Sequence, residues 1–167
     1  MNVHRSALVE HSAEDIFDLI EQAEHYPAFL PWCSRATILA RDDSIVAARI
    51  AIAWHGVHFE ITTRNPKKRP EWLSVRMETG PFRRFDGEWH IRALAPSACK
   101  IEFALRCEFD NPLLHGIASS VLERVSGTFV DAFVTRADAV YGNRPTAAGA
   151  EAPGSTAQSA AASQART

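Results

Sequence analysis

Cysteine is scarce in this 167-residue sequence, which contains only three. Cys99 and Cys107 fall on one predicted strand, roughly 26 Å apart, which excludes a disulfide between them. Cys33 follows a tryptophan in an apolar segment, and we expect a packed thiol there rather than a nucleophile. The sequence therefore lacks the disulfide framework of a small secreted domain.

Long apolar runs are absent as well. No stretch of about 18 consecutive apolar residues occurs, so no membrane-spanning helix is predicted. The segment Met1–Arg5 lacks the apolar core of a secretory signal peptide. We therefore expect a cytoplasmic protein.

An excess of positive charge is also missing. The 18 Lys and Arg residues are outnumbered by 20 Asp and Glu residues, for a formal net charge of −2. A protein that neutralises many phosphates of duplex DNA usually has a basic balance or a dense basic face. We expect no DNA partner, although a local basic patch stays open as a possibility.

The C-terminal segment 143–167 lacks the residues that form a core. It is rich in alanine but contains no aromatic residue and no Val, Ile, Leu or Met. Such a segment cannot bury enough apolar surface to offset the entropy of ordering it. The sequence therefore predicts one domain over residues 1–142 and a disordered, Ala-rich tail over 143–167.

Periodicity predicts a run of antiparallel strands after a helical start. Ser12 is a good N-cap for a helix that reaches about Gln22, and a short helix or turn follows before Pro31. Alternation with period two then indicates strands that have one apolar face. The predicted strands are 3–10, 46–54, 57–64, 73–77, 82–93 and 99–109, with a turn over 66–70.

A long helix closes the domain. Pro112 suits its first position and Gly142 its end, and an apolar stripe at helical spacing connects them. Arg136 lies in that stripe, where an arginine paired with a carboxylate is favoured over a ligand contact. One helix must cover the apolar face of a sheet of about seven strands. The prediction is an α+β helix-grip fold, a curved antiparallel sheet wrapped around the C-terminal helix, with a cavity between them.

Six short segments and Tyr141 resemble one known family in their order along residues 3–142. They include the Tyr-Pro-Ala-Phe-Leu-Pro-Trp-Cys stretch at 26–33, the Thr-Thr-Arg-Asn stretch at 62–65 and Gly-Pro-Phe at 80–82 with Trp89. The remaining segments are 12–17, 109–114, 132–137 and Tyr141. Together they identify the chain as similar to the RatA and coenzyme Q-binding protein family of the START-like superfamily, which also carries the label polyketide cyclase or lipid transport.

The resemblance implies two different activities. Some members bind coenzyme Q and support respiration, whereas bacterial RatA proteins are toxins that bind the large ribosomal subunit and block subunit association. The Thr-Thr-Arg-Asn stretch resembles the bacterial branch more closely, which indicates the branch and leaves the activity open.

The first hypothesis is a non-enzymatic carrier of ubiquinone or a related polyprenyl lipid, which is a bound ligand rather than a cofactor. Burial of apolar surface would hold an isoprenoid tail. We expect the cavity wall to be formed mainly by aromatic side chains near its mouth, although any one of them could instead be a core residue. The candidate wall residues are Tyr26, Phe29, Leu30, Trp32, Phe82, Trp89, Leu114, Val121 and Val125.

The second hypothesis is a protein that binds the large ribosomal subunit. Four cations lie within six residues, and they could contact rRNA phosphates or a ligand headgroup: Arg64, Lys67, Lys68 and Arg69. The same cations would suit anionic lipid at the inner face of the membrane, and a solvated turn is the simpler interpretation. Arg83 and Arg84 belong to a turn at the opposite end of a meander, so the two groups need not form one patch.

The third hypothesis is a cyclase or aromatase, which is the least supported. It would need an acid or base held in the cavity. No nucleophile elbow, phosphate loop or dinucleotide fingerprint is present. The spacing of His55 and His58 offers two metal ligands without a third, so neither a metal site nor a catalytic residue is predicted.

Overall fold

The computed structural model describes residues 1–54 and 56–142, and within that range it describes all side chains except those of 112–124 and 126. Seven strands, a first helix α1, a short 3-10 helix and a long helix α2 follow one another along the chain. The strands are β1 (Asn2–Val9), β2 (Cys33–Arg41), β3 (Ile45–Trp54), β4 (Val57–Lys68), β5 (Trp72–Thr79), β6 (Phe82–Ala95) and β7 (Ala98–Phe109). The helices are α1 (Ala13–Glu21), the 3-10 helix (Ala23–Ala28) and α2 (Pro112–Tyr141).

All seven strands form one antiparallel sheet with the order β1-β7-β6-β5-β4-β3-β2. Strands β2 to β7 form a meander. The last strand, β7, also pairs with the first strand, β1, from Asn2 opposite Arg106 to Val9 opposite Cys99. The buried residues of β7 alternate over its length, as the period-two pattern predicts. The predicted helix-grip fold is therefore confirmed.

One strand was missing from the sequence-based prediction. Strand β2 is the edge strand, and it pairs with β3 alone. Of its residues only Cys33 is buried, because one edge and most of both faces of the strand meet solvent. An edge strand with so little burial needs no regular alternation, which is why its sequence carries no clear signal.

The predicted turn over Pro66–Pro70 begins too early. Strand β4 continues through Pro66 to Lys68, and Pro66 lies opposite Ile45 of β3. On the β5 side, the ladder pairs Thr63 with Met77 and Lys67 with Leu73. Between these pairs the backbone N–H of Arg76 donates to Asn65 Oδ1 at 3.2 Å. A side-chain acceptor thus supports the pairing next to a proline, which cannot donate a hydrogen bond itself.

The first helix begins as its sequence predicts. Ser12 Oγ accepts a hydrogen bond from the Asp15 N–H at 3.1 Å, and Ile16 and Phe17 are fully buried. These side chains bring α1 onto the sheet and onto α2.

The described part of the long helix packs on the concave face of the sheet. The strands that α2 contacts along its described length are mainly β1 and β7. Its Phe133 is fully buried and packs edge-on against Phe29 and Trp89, with both ring centroids 5.1 Å away. The cavity lies on the concave side of the sheet, where inward residues of β3, β4 and β5 line it together with residues of α1 and α2.

No helix in residues 1–54 and 56–142 is long and apolar enough to cross a bilayer. The predicted tail over 143–167 lies outside the described residues, so its disorder and the domain boundary at 142 stay predictions.

Candidate functional site

A cavity of about 110 Å³ lies between the sheet, α1 and α2. Its wall consists of apolar side chains with a few polar residues from α1 and β4. The lining residues are Ile20, Glu21, Ala23, Tyr26, Trp32, Val46, Ala48, Ile50, Ile52, Phe59, Ile61, Thr63, Asn65, Leu73, Val75, Phe82, Phe85, Trp89, Phe103, Leu105, Val125 and Phe129. A dry cavity of about 150 Å³ admits benzene, so this one is close to the size of a single ring.

The structure brings five of the nine candidate wall residues together on the cavity. These five are Tyr26, Trp32, Phe82, Trp89 and Val125. Leu30 is 1% exposed and belongs to the core rather than to the cavity wall. The side chains of Leu114 and Val121 lie outside the described residues, and their predicted role stays a prediction.

Phe29 packs away from the cavity. Its ring lies against Tyr26, 5.8 Å between centroids, and the Arg136 guanidinium carbon lies 5.6 Å from the Phe29 centroid. The buried Nε of Arg136 has no hydrogen-bond partner among the described residues. Arg136 therefore stacks on an aromatic ring, where the sequence favoured a carboxylate partner.

The cavity has an apolar end beside the β3–β4 hairpin. Phe59 and Phe82 meet there edge to face, with centroids 5.5 Å apart, and the centroid of Phe85 lies 4.9 Å from that of Phe82.

Farther along the cavity, Tyr26 turns its hydroxyl out of the cavity, because that hydroxyl donates to the Ile20 carbonyl at 2.6 Å. Burial raises the pKa of Tyr26, so this phenol stays neutral.

The opposite end of the cavity, next to α1, is polar. Thr63 is 1% exposed and Asn65 8%, and both lie on the inward face of β4. Asn65 Nδ2 donates to Thr63 Oγ1 at 3.1 Å. The alternation of the predicted strand 57–64 already places Thr63 on the face of Phe59 and Ile61, whereas Asn65 is named only in the family resemblance. Continuing the alternation by two residues could have placed Asn65 on the same buried face.

A buried carboxylate completes the polar end. Glu21, at the last position of α1, is 8% exposed and forms an ion pair with Lys67, which is also 8% exposed. Arg69 and Arg41 approach the same carboxylate, with the Arg69 Nη1 to Glu21 Oε2 distance 3.4 Å and the Arg41 Nε to Glu21 Oε1 distance 3.6 Å. A charge buried to this extent requires such partners.

The four cations predicted to act as one basic patch are divided by the structure. Arg64 and Lys68 are exposed on the outer face of β4, whereas Lys67 is buried against Glu21. Arg69 is held by α1, since its Nη2 lies 2.6 Å from Asp18 Oδ1. Strand alternation continues through this segment, and it sends successive cations to opposite faces. Two of the four are therefore engaged in ion pairs with the first helix.

Arg83 and Arg84 lie apart from the cations at 64–69, as the meander order of the strands predicts. The turn that precedes β6 lies at the other end of β5 from the turn that follows β4. Arg83 is ion-paired with Glu108 and Arg84 with Asp86. The two basic groups do not form one patch.

The cysteines are structural. Cys33, Cys99 and Cys107 are all buried and free. Burial raises the pKa of Cys33 to about 11 and that of Cys99 to about 11, so neither is a thiolate at neutral pH. No group of three metal-ligating side chains occurs in the part of the chain that the structure describes, and His55 lies outside it.

Two adjacent lysines, Lys67 and Lys68, provide a direct test of the buried ion pair between Glu21 and Lys67. We expect Lys67→Ala to lower the free energy of unfolding by about 3 kcal/mol, because it leaves the buried Glu21 carboxylate without its nearest cation. Lys68→Ala should change it by less than about 0.5 kcal/mol, since the pair of Lys68 with Glu71 is solvent-exposed. Urea unfolding of the two variants measures both values. Equal, small losses would contradict the burial of the Glu21–Lys67 pair, whereas recovery of stability in Glu21→Leu/Lys67→Met would support it.

Comparison with known proteins places this architecture in a family. The family of polyketide cyclase / dehydrase and lipid transport proteins matches residues 9–134. The ribosome association toxin RatA of Pseudomonas aeruginosa is 34% identical over 141 residues, which cover 84% of this chain and 98% of that protein. The mitochondrial coenzyme Q-binding protein COQ10 homolog B of Xenopus laevis is 23% identical over 87% of this chain and 62% of its own length.

Solved structures agree on the fold. The Zhui aromatase/cyclase from Streptomyces sp. R1128 superposes with a TM-score of 0.72 at 17% identity, over 83% of this chain and 93% of that chain. A START superfamily protein from Mycobacterium smegmatis superposes with a TM-score of 0.70 at 19% identity, over 83% of this chain and 97% of that chain. The chain therefore belongs to the family of polyketide cyclase / dehydrase and lipid transport proteins, and within it the chain is similar to RatA.

Proposed function

We propose that this protein is a non-enzymatic carrier that binds a prenyl quinone, of the ubiquinone type, or a related hydrophobic molecule in the cavity between the sheet and α2. The observation that carries the proposal is the cavity itself, which is apolar along most of its wall and polar at one end. An amphiphile with a hydrophobic body and a compact polar ring matches that division. The similarity to a protein named for coenzyme Q binding supports the same class of ligand.

Burial energetics favour a ligand of this kind. Each buried methylene-sized group contributes about 0.8 kcal/mol, so a five-carbon prenyl unit contributes up to about 4 kcal/mol before the cost of association. A cavity of about 110 Å³ has room for little more than a ring. A longer prenyl tail requires the sheet and α2 to separate, or the tail to leave the cavity.

The ionisable side chains on the described cavity wall favour binding over catalysis. They are Glu21 and Tyr26. Glu21 is paired with Lys67 and approached by two arginines, and the Tyr26 hydroxyl is hydrogen-bonded to a backbone carbonyl. A general acid or base needs a free proton-transfer position that faces the substrate, and neither group offers one in this arrangement.

Titration with ubiquinone-1 tests the carrier function. We expect saturable quenching of tryptophan fluorescence, because Trp32 and Trp89 line the cavity. Ala48→Phe should weaken binding at least tenfold, since Ala48 is 1% exposed on the cavity wall and the added ring would occupy the cavity. Ala51→Phe, on the outer face of the same strand, is the matched control and should bind as the unmodified protein does. Absence of saturable binding, or equal binding by both variants, contradicts the proposal.

A second candidate function is association with the large ribosomal subunit, as in RatA. The observation that favours it is the 34% identity to a protein named ribosome association toxin over 98% of that protein's length. The cations available for such a contact are the exposed ones, such as Arg64 and Lys68, rather than Lys67 and Arg69, which α1 engages. Ribosome binding would then use the outer face of the sheet and leave the cavity free.

Sedimentation of cell extracts through sucrose gradients tests this second function. At low salt we expect the protein to comigrate with the large subunit and to be released as salt rises, because contacts with phosphates release counterions. Arg64→Ala/Lys68→Ala should reduce comigration without changing ubiquinone-1 binding. A protein that stays at the top of the gradient at every salt concentration rules out ribosome association.

A further inference from the structure

Two hydrogen-bond donors at the polar end of the cavity have no acceptor among the described residues. The orientation of the Asn65 amide is fixed because its Oδ1 accepts from the Arg76 backbone N–H, which can only donate. Its Nδ2 therefore faces Thr63 and donates to Thr63 Oγ1. That bond uses one of the two amide hydrogens and makes the Thr63 oxygen an acceptor.

Two hydrogens remain, the second one on Asn65 Nδ2 and the hydroxyl hydrogen of Thr63. Among the described residues, the bond between Asn65 Nδ2 and Thr63 Oγ1 is the one hydrogen bond that these two donor atoms make, and it uses neither of the two hydrogens. Both side chains line the cavity, and both are more than nine-tenths buried. A buried donor without an acceptor is costly, so a ligand oxygen that accepts from this pair relieves that cost on binding.

The charge at this end restricts what the acceptor can be. The Glu21 carboxylate also lines the cavity, and its cations are already engaged. Arg41 is shared with Glu24, and Arg69 is shared with Glu14 and Asp18. The three cations thus face four carboxylates, and no cation is left over for a phosphate or carboxylate headgroup. Burying an anion beside Glu21 would be unfavourable.

We propose that Thr63 and Asn65 form a specificity site for a neutral carbonyl oxygen, so that the ligand of this cavity is an uncharged quinone or ketone rather than a fatty acid, a phospholipid or a hydrocarbon. This inference rests on the proposed carrier function. The pair acts as two convergent donors, Thr63 Oγ1–H and Asn65 Nδ2–H, at the α1 end of the cavity. The ring that bears the carbonyl lies against the apolar wall between the sheet and α2.

A matched set of probes tests the site. Tetramethyl-1,4-benzoquinone and hexamethylbenzene have the same shape, because two methyl groups replace the two carbonyl oxygens. Pentamethylbenzoate adds one negative charge to nearly the same ring. The quinone is fully substituted at its ring carbons, so conjugate addition to the cysteine thiols is suppressed. Affinities are measured by NMR titration at neutral pH, with ubiquinone-1 as the reference ligand.

The unmodified protein should bind the quinone about tenfold more tightly than the hydrocarbon, as expected from two modest hydrogen bonds. It should bind the benzoate more weakly than the quinone. Thr63→Val/Asn65→Leu should remove the preference for the quinone over the hydrocarbon, and Thr63→Val alone should reduce it. Thr62→Val makes the same chemical change on the opposite face of β4 and should leave the preference intact.

The outcomes separate this inference from the carrier function. If the protein binds neither the two neutral probes nor ubiquinone-1, both the carrier function and the specificity site are wrong. If it binds the quinone and the hydrocarbon equally, or keeps its preference in Thr63→Val/Asn65→Leu, the carrier function stands and the specificity site is overturned. Tighter binding of the benzoate would likewise overturn it, in favour of an acidic lipid.

Discussion

A single constraint governs this molecule, which is that one helix must cover the concave face of a seven-stranded sheet. Inward residues of β3, β4 and β5, together with Val125 and Phe129 of α2, surround the space between the helix and the sheet. Side chains such as Phe59, Phe82 and Trp89 fill part of that space, and a cavity of about 110 Å³ remains. Apolar surface that a solid core would bury completely is thereby left available to a ligand.

Strand β4 links the wall of the cavity to the first helix, α1. Its inward residues become more polar toward α1, from Phe59 and Ile61 through Thr63 and Asn65 to Lys67. Lys67 closes this series by pairing with Glu21 at the end of α1. The ion pair therefore fixes the first helix to the strand that carries the polar residues of the cavity. Removing one charge would leave the other buried, which makes the arrangement sensitive to single substitutions.

Much of the fold could be predicted from the sequence, whereas the site could be predicted only in part. The alternation of β7 and the apolar stripe of α2 are strong signals because β7 and the described part of α2 each have one buried face, which in α2 includes Val130, Phe133 and Ala137. Edge strand β2 has almost no buried face, so the pattern of its sequence could not predict a strand there. The four cations at 64–69 form one group in the sequence, but strand alternation points Arg64 to the outer face of the sheet and Lys67 to the inner face. That Asn65 accepts from the Arg76 backbone depends on pairing across strands, which composition does not reveal.

We propose that the cavity holds a neutral quinone ring by its carbonyl oxygen at the end next to α1. A crystal structure of the protein with bound ubiquinone-1 tests it most directly. We expect the ring between α2 and the sheet, with one carbonyl oxygen within hydrogen-bond distance of Thr63 Oγ1 and Asn65 Nδ2. A quinone bound with its ring at the Phe59 and Phe82 end, or on the outer face of the sheet, would contradict it.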